Sequence, residues 1–416
     1  MSAQMKIETP PTDWSALAQS IAAEIALEAA RHDAEESFVA GNYRRLKDAG
    51  LFKALVPAEF GGGGAEVTDI CNVIRILGAA CGSTALAFSM HSHLVAAAAW
   101  RWRHQNAPTD GLLKRVAAEN LVLVSSGGSD WLKSAGSATK VDGGFRINAR
   151  KIFSSGSPAG DLLMTSAVYD DPEAGPTVLH FGVSLKAEGV TLLDTWHVMG
   201  MRGTGSHDID LKDVFVADAA VAGRRAQGKW HMLFHVISKI AFPIILSAYV
   251  GVAEGARAKA VEIARKKPAD EALTLMVGEM ENALAAATMA LEEMIYLAET
   301  AAPGPETTNR VAIARHLVRT SGDRMRGARD GGRGRSVVLQ QHRPRARVSR
   351  CARRALSSAA GKSAAALLWP SRAWARHRWL ARLDSVTVTK APVPVAGTLA
   401  MRFVRASCNQ RCARRL

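Results

Sequence analysis

The hydrophobic periodicity of this chain changes twice along its 416 residues. Residues 12–118 and 228–321 place apolar residues three and four positions apart, which is the spacing of amphipathic helices. Residues 119–227 instead hold short β-rich segments that Gly, Asp and Pro separate, and several of them alternate apolar with polar residues. This order predicts an α+β fold with an N-terminal helical domain, a central antiparallel β-sandwich or barrel, and a C-terminal helical bundle.

Turn and cap residues predict where several elements end. We expect a break between two helices near Gly82 and a hairpin turn at 142–144, where glycines separate two strand-like runs. Asp270 and Thr308 are candidate N-terminal caps of two later helices. Pro243 interrupts a long apolar helical pattern, which predicts a kink there.

Charge is distributed very unevenly along the chain. Residues 321–416 hold 22 of the 53 Lys and Arg residues but 3 of the 38 Asp and Glu residues, so this segment carries +19 and residues 1–320 carry −4. A segment of this charge would bind phosphate polymers non-specifically. It lacks an alternation of aromatic and basic residues on a recognisable fold, so we expect no specific nucleic-acid partner.

The cysteines and the N-terminus bear on the compartment. Five scattered cysteines show neither metal-ligand spacing nor a disulfide framework, so we expect no metal site. The opening MSAQMKIETPPTDW has no basic patch followed by an apolar stretch, which argues against a secretory signal. No run of 18 apolar residues is free of charge, so no membrane span is expected. These features together predict a cytoplasmic protein.

Four strings along the chain resemble the signatures of one protein family. They are LKDAGLFKALVPAEFGGGG at 46–64, VSSGGSD at 124–130, GGFRINARKIFSSG at 143–156 and WHVMGMRGTGSHDIDLKDVFV at 196–216. Their order and spacing resemble those of the acyl-CoA dehydrogenase superfamily. The resemblance implies a flavoprotein that binds FAD, with FMN as the alternative, and a homotetramer built through the C-terminal helices.

The resemblance also implies roles for residues at matching positions. Backbone amides and small hydroxyls suit an isoalloxazine ring, because they reach its plane without crowding it. The positions that would line the flavin are Val124, Ser125, Ser126, Phe153, Ser154 and Ser155. Ser129 and Arg202 would bind the substrate. The alternative interpretation is that these are ordinary turn residues of the β-domain, and that the segment around Arg202 mainly shapes that domain.

His91 and His93 are the candidate catalytic residues. Two positions apart on a helix they point to different faces, so they cannot easily share one metal ion. In the monooxygenase branch of the superfamily a histidine faces the flavin, and the resemblance gives one of this pair that role. The alternative is that both are packed or capping residues. His207 is interpreted as a structural hydrogen-bonding residue.

No catalytic base can be assigned from the sequence. Dehydrogenases of the family use a glutamate to remove the α-proton of the substrate. One family position for it falls in HVISKIAFPIIL at 235–246, which holds no acid, and the other lies in a YEGT string that is absent. Glu254 and Glu262 lie farther along the helix and are interpreted as solvated.

Two enzymatic functions therefore stay open. The main prediction is α,β-dehydrogenation of an acyl-CoA, with electrons passing to an electron-transfer flavoprotein. The second is a monooxygenase on the same fold, which needs no α-proton base and takes reduced flavin from a partner reductase.

The sequence departs from the family after about residue 321. Residues 321–416 contain 20 arginines and no helical apolar stripe of useful length. Shifting the reading frame by one base from Met325 permits a sequence with the Gly-Gly, ER..RD and LYSGR strings of the family's C-terminal region. We therefore hypothesise a single-base insertion or deletion, or a sequencing error, near residues 320–325.

The hypothesis sets the expected domains and a third function class. We expect an N-terminal helical domain at 1–118, a middle β-domain at 119–227, a truncated C-terminal helical domain at 228–321 and an aberrant, disordered basic tail at 322–416. A chain cut short in this way would expose apolar helix faces and lose the tetramer contacts. An inactive frameshifted product is therefore the third hypothesis.

Overall fold

The computed structural model describes residues 12–126, 128–268 and 270–327. Five helices come first: α1 (Trp14–Glu35), α2 (Ala40–Asp48), α3 (Val67–Ala80), α4 (Gly82–Gln105) and α5 (Asp110–Glu119). Eight strands follow: β1 (Leu123–Ser125), β2 (Ser137–Val141), β3 (Gly144–Ser154), β4 (Leu162–Asp171), β5 (Gly175–Ser184), β6 (Val190–Leu192), β7 (His207–Ala217) and β8 (Val221–Ala226). Three helices come last: α6 (Met232–Arg265), α7 (Glu271–Thr300) and α8 (Pro305–Gly327). The predicted order of helices, strands and helices is confirmed.

The central sheet is mixed and unclosed, whereas the sequence predicts antiparallel strands throughout. Its order is β6-β7-β3-β2-β4-β5-β8, and β1 pairs with β4 outside that path. Both β1 and β2 run parallel to β4 along one edge of it, through the pairs 123–125 with 162–164 and 137–138 with 168–169. The parallel pairing arises because the chain leaves the sheet after β1 and returns in the same direction as β2. Residues 128–136, which make this detour, are called the excursion loop below.

Glycines hold the N-terminal and C-terminal helices together. A Cβ atom on Gly251 would lie 2.1 Å from the carbonyl oxygen of Arg75, and one on Gly255 would lie 2.4 Å from that of Ala79. On the facing helix, a Cβ on Gly78 would lie 2.7 Å from the carbonyl oxygen of Ala248. The backbones of α3 and α6 therefore touch, which only residues without side chains allow.

Helix α6 is the central helix of the C-terminal part. It is long and apolar enough to cross a membrane by length and composition, but 72% of its most apolar window is buried in the protein, as in a core helix. Pro243 lies inside this helix, which runs without a break from Met232 to Arg265.

Of the two predicted helix caps, one is confirmed and the other is wrong. Asp270 caps α7 as predicted, because its carboxylate accepts hydrogen bonds from the amides of Ala272 and Leu273. Thr308 is not a cap, because α8 already begins at Pro305, and proline suits the first turn of a helix. Helix α8 also runs six residues into the segment predicted to be a disordered tail, and the rest of that segment, 328–416, lies outside the described residues.

Candidate functional site

The candidate cofactor residues come together at one end of the sheet. Val124 and Ser125 belong to β1, and Ser154 ends β3. The turn at 155–161 leads from β3 into β4, and the amide of Asp161 donates to the carbonyl of Val122 over 2.9 Å. Gly160 in this turn lies against Val124, since a Cβ there would be 2.5 Å from a Val124 methyl group. The structure thus brings the two predicted segments together through one short connection.

An irregularity at the end of β3 sets the direction of its last residues. The pairing of β3 with β7 shifts register between Lys151, which pairs with Ile209, and Ser154, which pairs with His207. Within this bulge Phe153 adopts a φ of +58°, which is unusual for a bulky residue and is found mostly where function fixes the backbone. Its ring meets Trp196 edge to face with 5.9 Å between the centroids.

Three of the predicted serines carry hydroxyl groups at this end of the sheet. The Ser126 hydroxyl lies 3.1 Å from that of Thr165, and the Ser155 hydroxyl lies 2.8 Å from that of Ser206. The Ser154 hydroxyl is fully buried and has no hydrogen-bond partner among the described residues. A buried hydroxyl left unpaired costs about 1–3 kcal/mol, and with no open surface in the flavin-free fold it cannot reach a ligand. Ser126 and Ser155 are only half-buried, so their hydroxyls are the ones that can donate to the carbonyls and ring nitrogens of a flavin.

His91 is a structural residue whose ring joins two parts of the backbone. Its Nδ1 accepts a hydrogen bond from the amide of Leu123 over 3.0 Å, and its Nε2 donates to the carbonyl of Phe52 over 2.7 Å. Burial lowers the pKa of His91 to about 4, which keeps the ring neutral with its proton on Nε2. With both nitrogens held by the backbone, His91 is not free for proton transfer.

His93 lies on another face of α4, as its spacing predicts. Its Nδ1 donates to the carbonyl of Ser89 over 3.1 Å, and no described residue hydrogen-bonds to its Nε2. Burial lowers the pKa of His93 to about 4, so Nε2 carries a free electron pair at neutral pH. Of the two histidines, His93 alone keeps a ring nitrogen available for chemistry.

The other predicted substrate residues are placed differently. Ser129 lies in the short 3-10 turn at 128–130, at the start of the excursion loop. Arg202 pairs through Nη2 with Glu36, at the end of α1, and the same carboxylate meets His197 over 3.1 Å. This ion pair ties the segment around Arg202 to the N-terminal helices. The substrate roles of Ser129 and Arg202 stay predictions.

His207 and the two glutamates of α6 complete the predicted set. His207 Nδ1 accepts from the amides of Thr195 and Trp196, each over 3.2 Å, which is the structural role expected of it. Glu262 is exposed and pairs with Lys266, also as expected. Glu254 is half-buried rather than solvated: it pairs with Arg75 at 3.2 Å, and burial raises its pKa.

Sequence reasoning missed an aromatic cluster beside the excursion loop. The Trp131 ring stacks on Phe234 at 5.5 Å and on Phe242 at 5.9 Å, both from α6. Arg225 of β8 donates to the carbonyls of Trp131 and Leu132, so the loop is also fixed from the sheet side. The only sequence signal for this cluster was a pair of aromatic residues eight positions apart on α6, and such a pair is typical of core residues.

Family models match the two parts of the chain that form this site. The acyl-CoA dehydrogenase N-terminal domain matches residues 15–106, and the middle domain of the same family matches residues 125–214.

Residues 15–106 and 125–214 are thus acyl-CoA dehydrogenase domains.

Relatives of this chain carry names from different branches of the superfamily. A pigment production hydroxylase from Rhodococcus sp. is 34% identical over 42% of this chain and 42% of its own length. A putative acyl-CoA dehydrogenase from Bacillus subtilis is 27% identical over 73% of this chain and 82% of its own. The chain thus matches less than two thirds of the first relative.

Solved structures show the same fold. The nitrososynthase from Micromonospora carbonacea var. africana superimposes with a TM-score of 0.67 at 21% identity, over 78% of this chain and 88% of that one. FMN-bound TdsC, a dibenzothiophene monooxygenase from Paenibacillus sp. A11-2, superimposes with a TM-score of 0.64 at 20% identity, over 76% and 87%.

Proposed function

We propose that this protein is a monooxygenase that uses reduced FMN and molecular oxygen to oxygenate a small molecule. The observation that carries the proposal is the composition of α6, which holds no carboxylate from Met232 to Ala253. Its first glutamate, Glu254, is paired with Arg75 on α3. An acyl-CoA dehydrogenase would need a carboxylate either in the early part of this helix or in a YEGT string to take the α-proton, and this chain has neither.

The comparisons support the same choice of branch. The hydroxylase from Rhodococcus has the highest identity among the relatives given above, and the two solved structures are a nitrososynthase and a monooxygenase. TdsC binds FMN, and so does KijD3, another structural neighbour. We therefore assign FMN rather than FAD to this chain, and a flavin reductase rather than an electron-transfer flavoprotein as its partner.

The proposed reaction balances with reduced flavin as the electron donor. One atom of oxygen enters the substrate, the other leaves as water, and reduced FMN becomes oxidised FMN. When bound, reduced FMN supplies the two electrons that activate oxygen. In this assignment Ser155, whose half-buried hydroxyl is linked to that of Ser206, would donate to the flavin.

The remaining groups of the site control water and protons. Trp131, Phe234 and Phe242 place an apolar wall behind the excursion loop, which would exclude water from that side of the site. His93 has a neutral ring with a free Nε2, so it can accept a proton from a substrate or hold a water molecule. His91 is withdrawn as a catalytic candidate, because both of its nitrogens are engaged.

Electron flow distinguishes the proposal from the dehydrogenase hypothesis. The purified full chain is loaded with FMN and mixed with a panel of acyl-CoA thioesters without oxygen, while the visible spectrum of the flavin is recorded. We expect no bleaching of the flavin by any thioester. In the second arm the protein receives reduced FMN, oxygen and small aromatic, amine or sulfur compounds, and we expect an oxygenated product from at least one class. Bleaching by an acyl-CoA would reverse the assignment.

A further inference from the structure

The excursion loop is the part of the proposed flavin site that strand pairing does not hold. Strand pairing stops at Ser125 and resumes at Ser137, so no ladder of hydrogen bonds fixes residues 128–136. The opposite wall has the same weakness, because the pairing of β3 is irregular between Lys151 and Ser154. Both walls therefore need anchors other than strand pairing.

One buried ion pair joins the excursion loop to Lys151, the last paired residue of β3 before its irregularity. Lys151 lies two residues before Phe153 on β3, and Asp130 directly follows Ser129 in the excursion loop. The Lys151 ammonium meets an Asp130 carboxylate oxygen at 2.8 Å, with side-chain exposures of 0% and 9%. The contact thus connects the end of β3 with the loop that begins beside Ser126.

Every donor of this lysine is used. Besides Asp130, the ammonium donates to the carbonyl of Ala135 over 2.6 Å and to the carbonyl of Ser166 over 2.5 Å. The other oxygen of Asp130 accepts from the amide of Ala135 over 3.1 Å. An ammonium group has three protons, so the set of bonds is complete and leaves one geometry for the loop.

Stability alone does not explain why this ion pair is buried. Removing two charges from water costs several kcal/mol, and a well-packed apolar pair is often as stable or more so. Burial accordingly lowers the pKa of Lys151, and the Asp130 carboxylate opposes that shift. What a buried, fully bonded pair provides beyond apolar packing is a single fixed arrangement of the chain segments it connects.

We propose that Lys151 and Asp130 form a positioning pair that sets the excursion-loop wall of the flavin site relative to the β3 wall. The inference rests on the proposed flavin site. It predicts that flavin binding depends on this pair even when the fold does not. Arg225 fixes the far side of the loop, where its guanidinium holds the Trp131 and Leu132 carbonyls and donates to His180 Nε2 over 3.0 Å.

The test removes both charges together. In the variant Lys151→Met/Asp130→Asn no buried charge is left unpaired, so the chain is expected to fold cooperatively. We expect its dissociation constant for FMN, from a fluorescence titration, to rise about tenfold or more, because a wall displaced by about 1 Å loses its contacts with the ring. We also expect an altered visible spectrum of the bound flavin. The unfolding midpoint of the flavin-free protein is measured beside it.

The matched control carries the same substitutions on an exposed pair of the same domain. Lys140 meets Asp218 at 2.6 Å with both side chains nearly half exposed, so Lys140→Met/Asp218→Asn should leave FMN affinity within about twofold of the wild type. A second variant, Lys151→Arg, keeps the charge but cannot place three donors on one nitrogen atom, and its FMN affinity should also fall.

The outcomes separate two failures. If the wild type itself does not bind FMN, the proposed function fails and this inference fails with it. If the wild type binds FMN and the folded Lys151 variants bind it with the same affinity and spectrum, the positioning role alone is wrong. If the double variant does not fold, Lys151→Arg decides: unchanged FMN affinity in that variant overturns the inference.

Discussion

Ser154 carries a hydroxyl that is buried at the end of β3 without a described partner, next to a backbone held at positive φ. Polar atoms in protein interiors are nearly always paired, so this hydroxyl is a cost that the fold carries. It has no open surface through which a ligand could reach it, whereas the next residue, Ser155, is only half-buried. The two neighbouring serines therefore separate a binding role from a folding role.

Replacing Ser155 by alanine should therefore weaken FMN binding, and replacing Ser154 by alanine should not. For Ser155→Ala we expect the dissociation constant for FMN to rise about threefold to tenfold, the equivalent of one ordinary hydrogen bond. For Ser154→Ala we expect unchanged FMN affinity, while the unfolding free energy of the flavin-free protein stays equal or rises slightly. Ser92→Ala is the control, since that buried hydroxyl already donates to the carbonyl of Phe88 over 2.9 Å. Unchanged FMN affinity in Ser155→Ala, or weaker FMN binding by Ser154→Ala, would contradict these roles.

The burial of His91 predicts that the protein loses stability as the pH falls. Its pKa is about 4 in the folded protein and about 6.5 when unfolded, so only the unfolded state binds a proton between these values. The stability contribution of the neutral ring is thus complete above pH 6.5 and is lost as the pH falls to about 4, by up to about 3 kcal/mol. Burial also lowers the pKa values of His93 and His180, so these residues contribute to the same loss of stability. The contribution of His91 is therefore obtained by comparing the wild type with a variant that lacks this histidine.

The comparison is between the wild type and His91→Gln. Urea unfolding at several pH values should show the wild type losing stability more steeply than the variant between pH 6.5 and pH 4. At neutral pH the variant should be less stable by about 1–3 kcal/mol, since the amide of Leu123 and the carbonyl of Phe52 lose well-placed partners. Parallel pH profiles would show that His91 is not buried as described.

At the scale of elements, the crossing of α3 and α6 depends on residues without side chains. Gly251→Ala should lower the unfolding free energy by about 1–3 kcal/mol, because the new methyl group would meet the Arg75 carbonyl at 2.1 Å. Gly278→Ala on α7 is the matched control: nothing lies within 4 Å of that position, so the change should stabilise the helix by about 0.5–1 kcal/mol. Thermal or urea unfolding of both variants is the measurement, and destabilisation by both would remove the packing argument.

Element type could be predicted from the sequence, whereas the pairing of elements could not. Local periodicity gives the helices and strands, and the glycines at 143 and 144 give the β2–β3 hairpin, which pairs Val141 with Gly144. The parallel pairing of β1 and β2 with β4 depends on where the chain returns after the excursion loop, and no local pattern encodes that. The same holds for the bulge at Phe153 and for the contact between Lys151 and Asp130.

The site residues could likewise be predicted where a local string identifies them, and not where their role depends on contacts with distant segments. Family strings placed Val124, Ser125, Ser154 and Ser155 at one end of the sheet, and the structure brings them there. The strings could not distinguish the two histidines, because that depends on which backbone groups from distant segments reach each ring. His91 meets Phe52 and Leu123, which lie far from it in sequence.

At the scale of the whole molecule, the last described helices expose large apolar side chains. Met289 and Tyr296 on α7 are 69% and 59% exposed, and Ile313 and Leu317 on α8 are 53% and 47% exposed. Such exposure marks a face that another element or chain covers. We propose that the frameshift near residues 320–325 removed the helices that cover it.

Two measurements test the frameshift. Sequencing the coding DNA should show a one-base insertion or deletion near codons 320–325. A protein expressed from the corrected frame should unfold at a higher temperature than the chain described here and bind FMN more tightly. An unbroken reading frame, or a corrected protein no more stable than this one, would contradict the proposal.

The most direct test of the flavin monooxygenase assignment follows the oxygen atom. The full chain is supplied with FMN, a flavin reductase with its nicotinamide donor, a substrate that gives product in the panel above, and oxygen gas labelled with ¹⁸O. Mass spectrometry should find one labelled oxygen atom in each product molecule, and none in the reaction without the protein. Product that carries oxygen from water, or turnover that proceeds equally well without oxygen, would contradict the assignment.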